Sequence, residues 1–547
     1  MHPRLAGLAA LALGFSATLL AQDETTVRVF VFAGQSNMVG SDSHTADVDR
    51  YPPFVGAAEP QPKVRFWYVV GREDKDTSSG WTTLRPIGDT VGPELTFARE
   101  VAAHTAAPLA IIKVAAGGTT LGTDWNPDHP GGFRLYPLAL ATVREALADL
   151  DRQHVPWRLE GFVWHQGEND MFDDACRRAY ADNLAHFIAC WRRDLAAPRL
   201  RFYLGELCTK TIWGMDNRVP MQAIALAQRQ VAAADPLVDY VPTSHDAVEI
   251  GGDDGLHYHY GTLGQLEHGV NHAQAYLRNL GVLAPRQRPL AAWPYADGAT
   301  VDLYVLAGHR NMEGERAFAQ QLKDVAGGDA LAKDRSDIAY RYAIGGGVLV
   351  SDGWEPLGPA GLYATFGPEL SFARKLAARP GAGIAIAKFT HSGSQIVDWT
   401  PGGSEAKGRD LYPAFLDFVR QSIADLERHG QRVRLAGIVY HLGENDMSFG
   451  PHRRLAAKWL GELIAASRRD LARPDLRWFV GQQRPTSGPD LDKLDVVADL
   501  AALAANDPHL VLVPAFDPPP QREQLVFDTA GVVWLGERLA EAVLRAR

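Results

Sequence analysis

Ser36 has the surroundings of a catalytic nucleophile. The motif Gly34-Gln35-Ser36-Asn37 follows an apolar run that predicts a buried strand, and it precedes a predicted helix. A serine at that junction is exposed at the carboxyl end of the strand and is surrounded by free backbone N–H groups. A serine hydroxyl reacts as a nucleophile only beside a base. Serine is also common as a helix N-cap, and this motif alone leaves both roles open.

Asp254-Gly255-Leu256-His257 supplies the base that such a serine needs. A carboxylate three residues before a histidine can orient the imidazole so that its other nitrogen faces the serine hydroxyl. The same spacing occurs in polar surface loops with an incidental histidine, and Asp253 and His259 are the neighbouring candidates in another register. In combination with Ser36, the pattern favours a Ser–His–Asp triad.

Acyl transfer also requires hydrogen-bond donors for the oxyanion. The backbone N–H of Ser36 is one candidate, and Gly117 and Gly118 offer others in the loop after the second predicted strand. The loop after the third predicted strand offers the side-chain amides of Gln166 and Asn169. Each of these groups has a structural alternative, because glycines turn chains and amides cap loops.

These motifs follow the predicted strands of a parallel sheet. Short apolar runs alternate with segments in which apolar residues recur every three or four positions, as strands and amphipathic helices do. Continuous apolar strands separated by helices indicate an α/β fold whose sheet is buried on both faces, with ligands bound beyond the carboxyl ends of the strands. The strands predicted in the first half are Val27 to Ala33, Leu109 to Val114, Leu159 to Trp164, Leu200 to Leu204 and Val238 to Val241.

The chain contains this pattern twice. VFAGQSNM at Val31 recurs as VLAGHRNM at Val305, GPELTFAR at Gly92 as GPELSFAR at Gly367, and GFVWHQGENDM at Gly161 as GIVYHLGENDM at Gly437. The offset stays between 274 and 276 residues, which indicates a duplicated domain. The predicted domains run from about 23 to 283 and from about 299 to 547, with the proline-containing segment 284–298 as linker.

The second copy has lost the reactive residues. Arg310 stands at the position of Ser36, His309 replaces Gln35, Leu442 replaces Gln166, and no histidine occurs after His509. The second domain is therefore predicted to be inactive. His309, Arg310 and His391 either converge into a polar pocket for an anion or a sugar, or belong to a relic that packs on the first domain, and the second alternative is favoured.

Comparison of the two copies also separates structural from catalytic candidates among the polar residues of the first copy. Glu94, His165, Glu168 and Asn169 are kept in the copy without a serine, so a structural role is predicted for them. Gln166 is lost together with Ser36 and His257, which favours Gln166 over Asn169 as the oxyanion amide. Trp125 is matched by Trp399 in the second copy.

The four ordered blocks around Ser36, Gly118, Gly167-Glu168-Asn169-Asp170 and Asp254 to His257 resemble those of the SGNH hydrolases. The GQSNM start, Gly-Pro-Glu, Gly-Gly-Thr and Trp-His-Gln-Gly-Glu resemble the sialate O-acetylesterase and acetylxylan esterase branch, similar to carbohydrate esterase family six. The resemblance implies two three-layer α/β/α (flavodoxin-like) domains, each with a mostly parallel sheet of about five strands.

The resemblance also implies a serine esterase that removes acetyl groups from sugar hydroxyls without a metal or cofactor. Its triad would be Ser36, His257 and Asp254. The oxyanion hole would combine Ser36, Gly118 and Gln166, with Gly117 and Asn169 as alternatives. The residues predicted to contact the sugar, partly as an aromatic wall, are Gln35, Trp125 and Trp164.

Two other functions fit parts of the pattern. A lipid esterase or thioesterase on the same scaffold would need a wide apolar pocket or lid, and no long apolar loop lies near the motifs. A carbohydrate-binding surface protein built from two inactive copies is disfavoured by the intact Ser36, Asp254 and His257, although the second copy alone would allow it.

Composition and the first residues predict an exported protein that does not bind nucleic acid. The 547 residues carry a formal net charge of −10, and a nucleic-acid partner would require a basic face. Arg4, the apolar run Leu5 to Leu20 and a cleavage point after Ala21 predict a signal peptide and a periplasmic or extracellular location. No other stretch is long and apolar enough for a membrane span.

The three cysteines form no recognisable framework. Cys176, Cys190 and Cys208 are an odd number without a CxxC spacing, which fits neither a disulfide scaffold nor a zinc site. Buried free thiols are therefore favoured, and one disulfide stays open as the alternative.

Overall fold

The computed structural model describes residues 25–207, 211–212, 215–248, 259–283, 286–378, 383–406, 409–447, 449–484, 496–521 and 525–546. The predicted signal peptide, Cys208, Asp254 and His257 lie outside the described residues. Among the helices described, none is both long and apolar enough to cross a bilayer.

The first half forms a mostly parallel sheet with helices on both faces. Its strand order is β10-β7-β6-β1-β5-β2-β3, with β4 also paired to β2. The strands are β1 Val27–Gly34, β2 Gln61–Val70, β3 Asp76–Thr77, β4 Thr82–Leu84, β5 Leu109–Ala115, β6 Trp157–His165, β7 Arg201–Gly205 and β10 Val238–Val241, and β8 Thr211–Ile212 and β9 Met215–Asp216 form a separate hairpin. The helices are α1 Ser36–Val39, α2 Glu94–His104, α3 Leu135–Arg152, α4 Asp174–Asp194, α5 Arg218–Ala234 and α6 Gly261–Asn279.

The second half repeats this sheet strand for strand, in the order β13-β12-β15-β11-β16-β17-β18 with β14 paired to β12. Its strands are β11 Thr300–Gly308, β12 Arg335–Ile344, β13 Leu349–Val350, β14 Glu355–Leu357, β15 Gly383–Thr390, β16 Arg432–His441, β17 Trp478–Gln482 and β18 Leu510–Pro514. Its helices are α7 Arg310–Glu313, α8 Gly328–Leu331, α9 Glu369–Ala377, α10 Tyr412–Arg428, α11 Glu444–Met447, α12 Gly450–Asp470, α13 Val496–Ala505 and α14 Thr529–Ala546.

The predicted α/β fold is confirmed for both halves, but the predicted strand number is wrong. Each main sheet has eight strands rather than about five. The sequence did not predict a strand at Gln61–Val70, because polar and apolar residues mix there. In the structure the burial of this strand is uneven. The short antiparallel strands paired with it are two or three residues long, too short to show a periodicity.

The central strand β1 is buried on both faces, as a parallel sheet between helices requires. Val29, Val31 and Ala33 lie in one core, while Phe30 and Phe32 lie in the core on the other face. The strand pairs with β5 on one side and β6 on the other. β11 pairs in the same way with β15 and β16. The register shift between β1 and β6 recurs at the matching position between β11 and β16.

A buried ion pair recurs in both copies. Lys113 Nζ on β5 lies 2.8 Å from a carboxylate oxygen of Glu94 on α2, and it also donates to the carbonyl of Val39 at the end of α1. In the second copy Lys388 Nζ lies 3.0 Å from Glu369 and donates to the carbonyl of Glu313. The predicted structural role of Glu94 agrees with this contact, which ties a helix, a strand and the first short helix together.

Replacing Lys388 with methionine is expected to destabilise the protein by about 3–5 kcal/mol, because Glu369 would be left buried and unpaired. Lys375→Met is the matched control, since Lys375 pairs with Glu541 at a site where both side chains are about one-third exposed. Its expected cost is about 0–1 kcal/mol. Urea unfolding followed by circular dichroism measures both variants. Equal losses would show that the buried pair has no special role.

Candidate active site

Ser36 is the first residue of α1, immediately beyond the carboxyl end of β1. The chain leaves β1 toward β2 on one side of the sheet and leaves the neighbouring β6 toward β7 on the other, so this edge is the topological switch point at which α/β sheets bind ligands. Gly34 lets the strands close up here, since a Cβ would lie 2.0 Å from the His165 carbonyl oxygen. The N-cap of α1 is Gln35, without a side-chain capping bond, so the N-cap alternative for Ser36 is wrong.

A cavity of about 380 Å³ opens over Ser36. Most of the residues that line it are polar or glycine, and Phe172 is the single large apolar side chain among them. The lining residues are Gln35, Ser36, Ser41, Arg72, Gly117, Gly118, Glu168, Asn169, Phe172 and His259. The loops after β1, β2, β5 and β6 thus contribute to one site, as the sequence predicted for all of them except the loop after β2.

Backbone donors lie beside the serine. Gly117 is so close that a Cβ on it would lie 3.5 Å from the Ser36 Cβ, and Gly118 follows with a φ of +71°. Within the described residues, the N–H groups of Ser36 and Gly118 have no hydrogen-bond acceptor, and the Ser36 hydroxyl has no hydrogen-bond partner. These groups have the placement that an oxyanion hole needs.

Gln166 lies outside this cavity. Its side chain is fully buried, and its amide nitrogen contacts the Asp170 carboxylate, the Thr119 carbonyl at 2.9 Å and the Gln35 amide oxygen at 3.2 Å. Asp170 in turn accepts the backbone N–H groups of residues 121 and 122, and burial raises its pKa to about 6 against these bonds. The amide of Gln166 therefore braces the loop that carries Gly118.

Asn169 lines the cavity with an amide that is held from one side. Its Oδ1 accepts a 3.0 Å hydrogen bond from Gln35 Nε2, and its Nδ2 has no hydrogen-bond partner within the described residues. Gln35 also accepts from the backbone N–H groups of Gly167 and Asn169, each at 3.3 Å. Gln35, predicted to contact the sugar, is 1% exposed and mainly holds this loop in place.

Trp125 and Trp164 do not form an aromatic wall, which corrects the prediction that they bind substrate. Both side chains are 0% exposed and pack edge to face in the core, with ring centroids 5.1 Å apart. Trp125 Nε1 donates to Thr119 Oγ1, and Trp399 makes the matching bond to Ser394 in the second copy. Side chains alternate between the two faces of a sheet along each strand, and Trp164 on β6 points into the core on one of these faces.

The retained glutamate and histidine form a buried array. Glu168 Oε1 lies 3.1 Å from His165 Nε2 and accepts a 2.6 Å bond from Asn37 Nδ2. Burial opposes ionisation of Glu168, yet His165 and Asn37 hold its pKa below the usual value. Asn37 Oδ1 accepts the backbone N–H of Tyr260, directly after the segment that carries Asp254 and His257. The predicted structural role of this array fits its contacts.

Two polar groups at the cavity were not identified from the sequence. Arg72 follows β2, and its guanidinium lies 5.4 Å from the centre of the Phe133 ring. Its nearest carboxylate is that of Glu73, at 3.9 Å, and its side chain is about half exposed. Arg72 could not be placed at the site from the sequence because β2, the strand before it, was not predicted. His259, which the sequence offered only as an alternative to His257, lines the cavity. It lies 2.7 Å from the Asp42 carboxylate, with which it forms a second histidine–carboxylate pair.

The site of the lost nucleophile in the second copy is filled. Arg310 and His309 are 1% and 0% exposed, and His309 contacts the Tyr440 hydroxyl at 2.7 Å and the Ser394 carbonyl at 3.0 Å. Of the two alternatives, the less favoured one, an open polar pocket, is therefore wrong for His309 and Arg310. His391 contributes instead to a neighbouring cavity of about 290 Å³ that Arg229 also lines.

Two of the cysteines are free thiols, Cys176 and Cys190. Burial raises the pKa of both, which is the behaviour of inert structural thiols. Cys190 lies beside His186 and Asp128, the three-residue group among the described residues whose atoms could hold a metal ion. That group is far along α4 from the cavity over Ser36.

The fold and the cavity define an α/β protein with a serine-centred site at the switch point of its first sheet. The chain belongs to the family described as "Carbohydrate esterase, sialic acid-specific acetylesterase", whose sequence model matches residues 26–278 and again residues 300–545. The tandem arrangement inferred from the internal repeat is thereby confirmed, because each copy matches the family separately.

The similar proteins named here have low sequence identity to this chain. A probable carbohydrate esterase of Arabidopsis thaliana is 24% identical over 192 residues, which span 35% of this chain and 64% of that protein. A solved structure of an Arabidopsis thaliana protein is 22% identical and covers 46% of this chain and 99% of its own, with a TM-score of 0.35. NanS is 16% identical, covers 47% and 98%, and has a TM-score of 0.36. A carbohydrate acetylesterase from Xanthomonas citri is 18% identical, covers 48% and 59%, and has a TM-score of 0.34.

Proposed function

We propose that the first copy is a serine O-acetylesterase that removes acetyl groups from sugar hydroxyls, and that the protein is exported by its first 21 residues. The observation that carries the proposal is the position of Ser36 at the switch point, in a cavity beside backbone N–H groups that have no acceptor within the described residues. Family membership supports the carbohydrate ester as substrate. The triad comprises Ser36, His257 and Asp254.

The proposed reaction follows from these groups. His257 takes the proton of Ser36 Oγ, which attacks the acetyl carbonyl, and Asp254 orients the imidazole. The oxyanion is held by N–H groups of Ser36 and Gly118 and by one side-chain amide. The sugar oxygen leaves with the proton from His257, and water then releases acetate from the acyl-serine with His257 again as base.

Asn169 is the better candidate for that amide. The amide nitrogen of Gln166 donates inside the protein. Asn169 lines the cavity, its amide oxygen accepts from Gln35, and its amide nitrogen has no partner within the described residues. This preference reverses the order inferred from the loss of Gln166 in the second copy. Gln166 then acts indirectly, through the loop that carries Gly118.

Phe172 is the single large apolar side chain among the described residues that line the cavity, which does not favour a lipid ester or thioester, since a long acyl chain needs extended apolar surface. Arg72 instead favours an acidic sugar. Its charge stands at the cavity wall 3.9 Å from its nearest carboxylate, and a guanidinium binds carboxylates in a bidentate geometry. We therefore propose an O-acetylated sialate-type sugar in preference to acetylated xylan, which has no carboxylate on its main chain.

Acetate release from O-acetylated sialic acid and from acetylated xylan tests the activity and its base. Wild type is expected to release acetate, Ser36→Ala to be inactive, and His257→Ala to lose on the order of 10⁴-fold in kcat. His259→Ala is the matched control, expected to stay within about tenfold of wild type because His259, which pairs with Asp42, takes no proton in the proposed reaction. No release from either sugar or from short acyl esters would refute the esterase, and a reversed order of the histidines would make His259 the base.

Asn169→Ala is expected to lower kcat by about 10²–10³-fold with little change in KM, as removal of an oxyanion donor does. Asn506→Ala, the same substitution on an exposed helix end of the second copy, is the control and should leave kcat unchanged. Steady-state kinetics on an activated acetyl ester measures both. If Asn169→Ala had the kcat of wild type, Asn169 would not be an oxyanion donor, and the backbone N–H groups alone would hold the oxyanion.

Arg72→Gln is expected to lower kcat/KM for the acidic sugar by about 10–100-fold, which corresponds to the loss of one charged hydrogen bond. Hydrolysis of a neutral acetylated xylo-oligosaccharide should not change. Arg72→Lys, which keeps the charge but not the fork, should retain part of the discrimination. An equal fall on both sugars, or none on either, would contradict the preference for an acidic substrate.

A further inference from the structure

The degenerate site of the second copy contacts the first copy. Arg310, at the position of the lost serine, donates from Nη1 to the carbonyl oxygen of Val248 at 3.1 Å. Val248 is the last described residue before 249–258, the segment that contains Asp254 and His257. Arg310 is itself held by Asn445 Oδ1 at 3.0 Å and by Glu315 Oε1 at 3.1 Å.

The loop after β15 makes a second contact with the same stretch. Ser392, which corresponds to Gly117, donates from its hydroxyl to the carbonyl of His245. At the next residue, Gly393, a Cβ would lie 1.8 Å from the Ser244 carbonyl oxygen, so the two backbones are in direct contact. The loop of the second copy that corresponds to the proposed oxyanion loop thus contacts the first copy in the stretch that follows β10.

Tyr363 makes a third contact at a cost in backbone conformation. Its hydroxyl lies within hydrogen-bonding distance of Asp246 Oδ1 at 3.1 Å, Asn271 Oδ1 at 2.6 Å and His245 Nε2 at 3.2 Å. Its φ is +51°, a region that disfavours side chains, and the matching residue of the first copy is Gly88 with a φ of +60°. The second copy has a tyrosine where glycine suits the backbone, and that side chain is directed to the first copy.

The far end of the segment is held by the first copy itself. Asn37 Oδ1 accepts the N–H of Tyr260, and Asp42 contacts His259. Residues 244–248 also have partners in α6, such as Glu267, which accepts the N–H of Ala247 at 2.7 Å. Among the described residues, Arg310, Ser392 and Tyr363 of the second copy therefore add polar contacts at one end of the segment, and each of these side chains can be removed by mutation.

We propose that the second copy is a positioning element for the base of the first copy, and that Arg310 and Tyr363 are its positioning residues. The inference rests on the proposed function, because it assigns His257 as the base. Arg310, at the position of the lost serine, and Ser392 bind the main-chain carbonyls of residues 248 and 245, and Tyr363 binds the side chains of residues 245 and 246. These contacts limit where the chain can enter the segment with Asp254 and His257. A displacement of about 1 Å in a catalytic group can cost about 10²-fold in rate.

Arg310→Met and Tyr363→Gly in the full chain test this role on an activated acetyl ester. Both are expected to lower kcat by about 10–100-fold with KM within about twofold of wild type, and to shift the acidic limb of the pH–rate profile, which reports the base. Arg310→Lys should recover part of kcat, because it restores one donor. Tyr363→Gly removes the contact and leaves the backbone conformation suited to its residue, so it remains informative if Arg310→Met does not fold.

Arg434→Met is the stability control. Arg434 forms a bidentate pair with the buried carboxylate of Asp302 at the amino-terminal edge of the second sheet, away from these contacts. It should destabilise the second copy while leaving kcat and the pH profile unchanged at temperatures where the protein is folded. An inactive wild type would refute the proposed function. An active wild type with unchanged kcat and pH profile in Arg310→Met and Tyr363→Gly, or with a change in KM alone, would overturn this inference only.

Discussion

The buried ion pair between Lys113 and Glu94 holds the short helix that begins with Ser36, the proposed nucleophile, in place. A four-residue helix such as α1 has no stability of its own, because too few backbone bonds repay its nucleation. Lys113 Nζ bonds both Glu94 on α2 and the carbonyl that ends α1, so one cation joins the sheet, a long helix and the short helix. A buried charge is tolerated only with such partners. Because the pair recurs in the copy without a serine, it belongs to the fold on which chemistry can be placed.

The strand order of the first sheet determines which loops meet at the site. With β5 and β6 on either side of β1, the loops after all three strands must meet at one edge. Ser36, Gly118 and Asn169 come from these loops, and Arg72 joins them from the loop after β2. Gln35 then sets the fine geometry, since it bonds both the backbone and the side chain of Asn169.

The sequence predicted the fold class, the duplication and the loops of the site, because strand periodicity and repeated motifs are local signals. It did not predict which side chains face the cavity. Trp164 was placed at the site by its neighbours in sequence, yet the alternation along β6 directs it into the core. Gln166 was assigned to chemistry because it vanishes with Ser36. Its amide bonds Gln35, which is also replaced in the second copy, so two structural partners that change together produce the same pattern as a catalytic pair.

The two copies use the same backbone positions for opposite purposes. Where the first copy has Ser36 and Gly117 at an open cavity, the second has Arg310 and Ser392 at a closed contact, and Tyr363 adds to that contact. An arginine with almost no exposed surface needs acceptors for its guanidinium, and one of them is a carbonyl of the first copy. A site that binds a protein main chain in this way cannot remain open to a sugar. Loss of the triad and gain of these donors are therefore consistent with a single change of role.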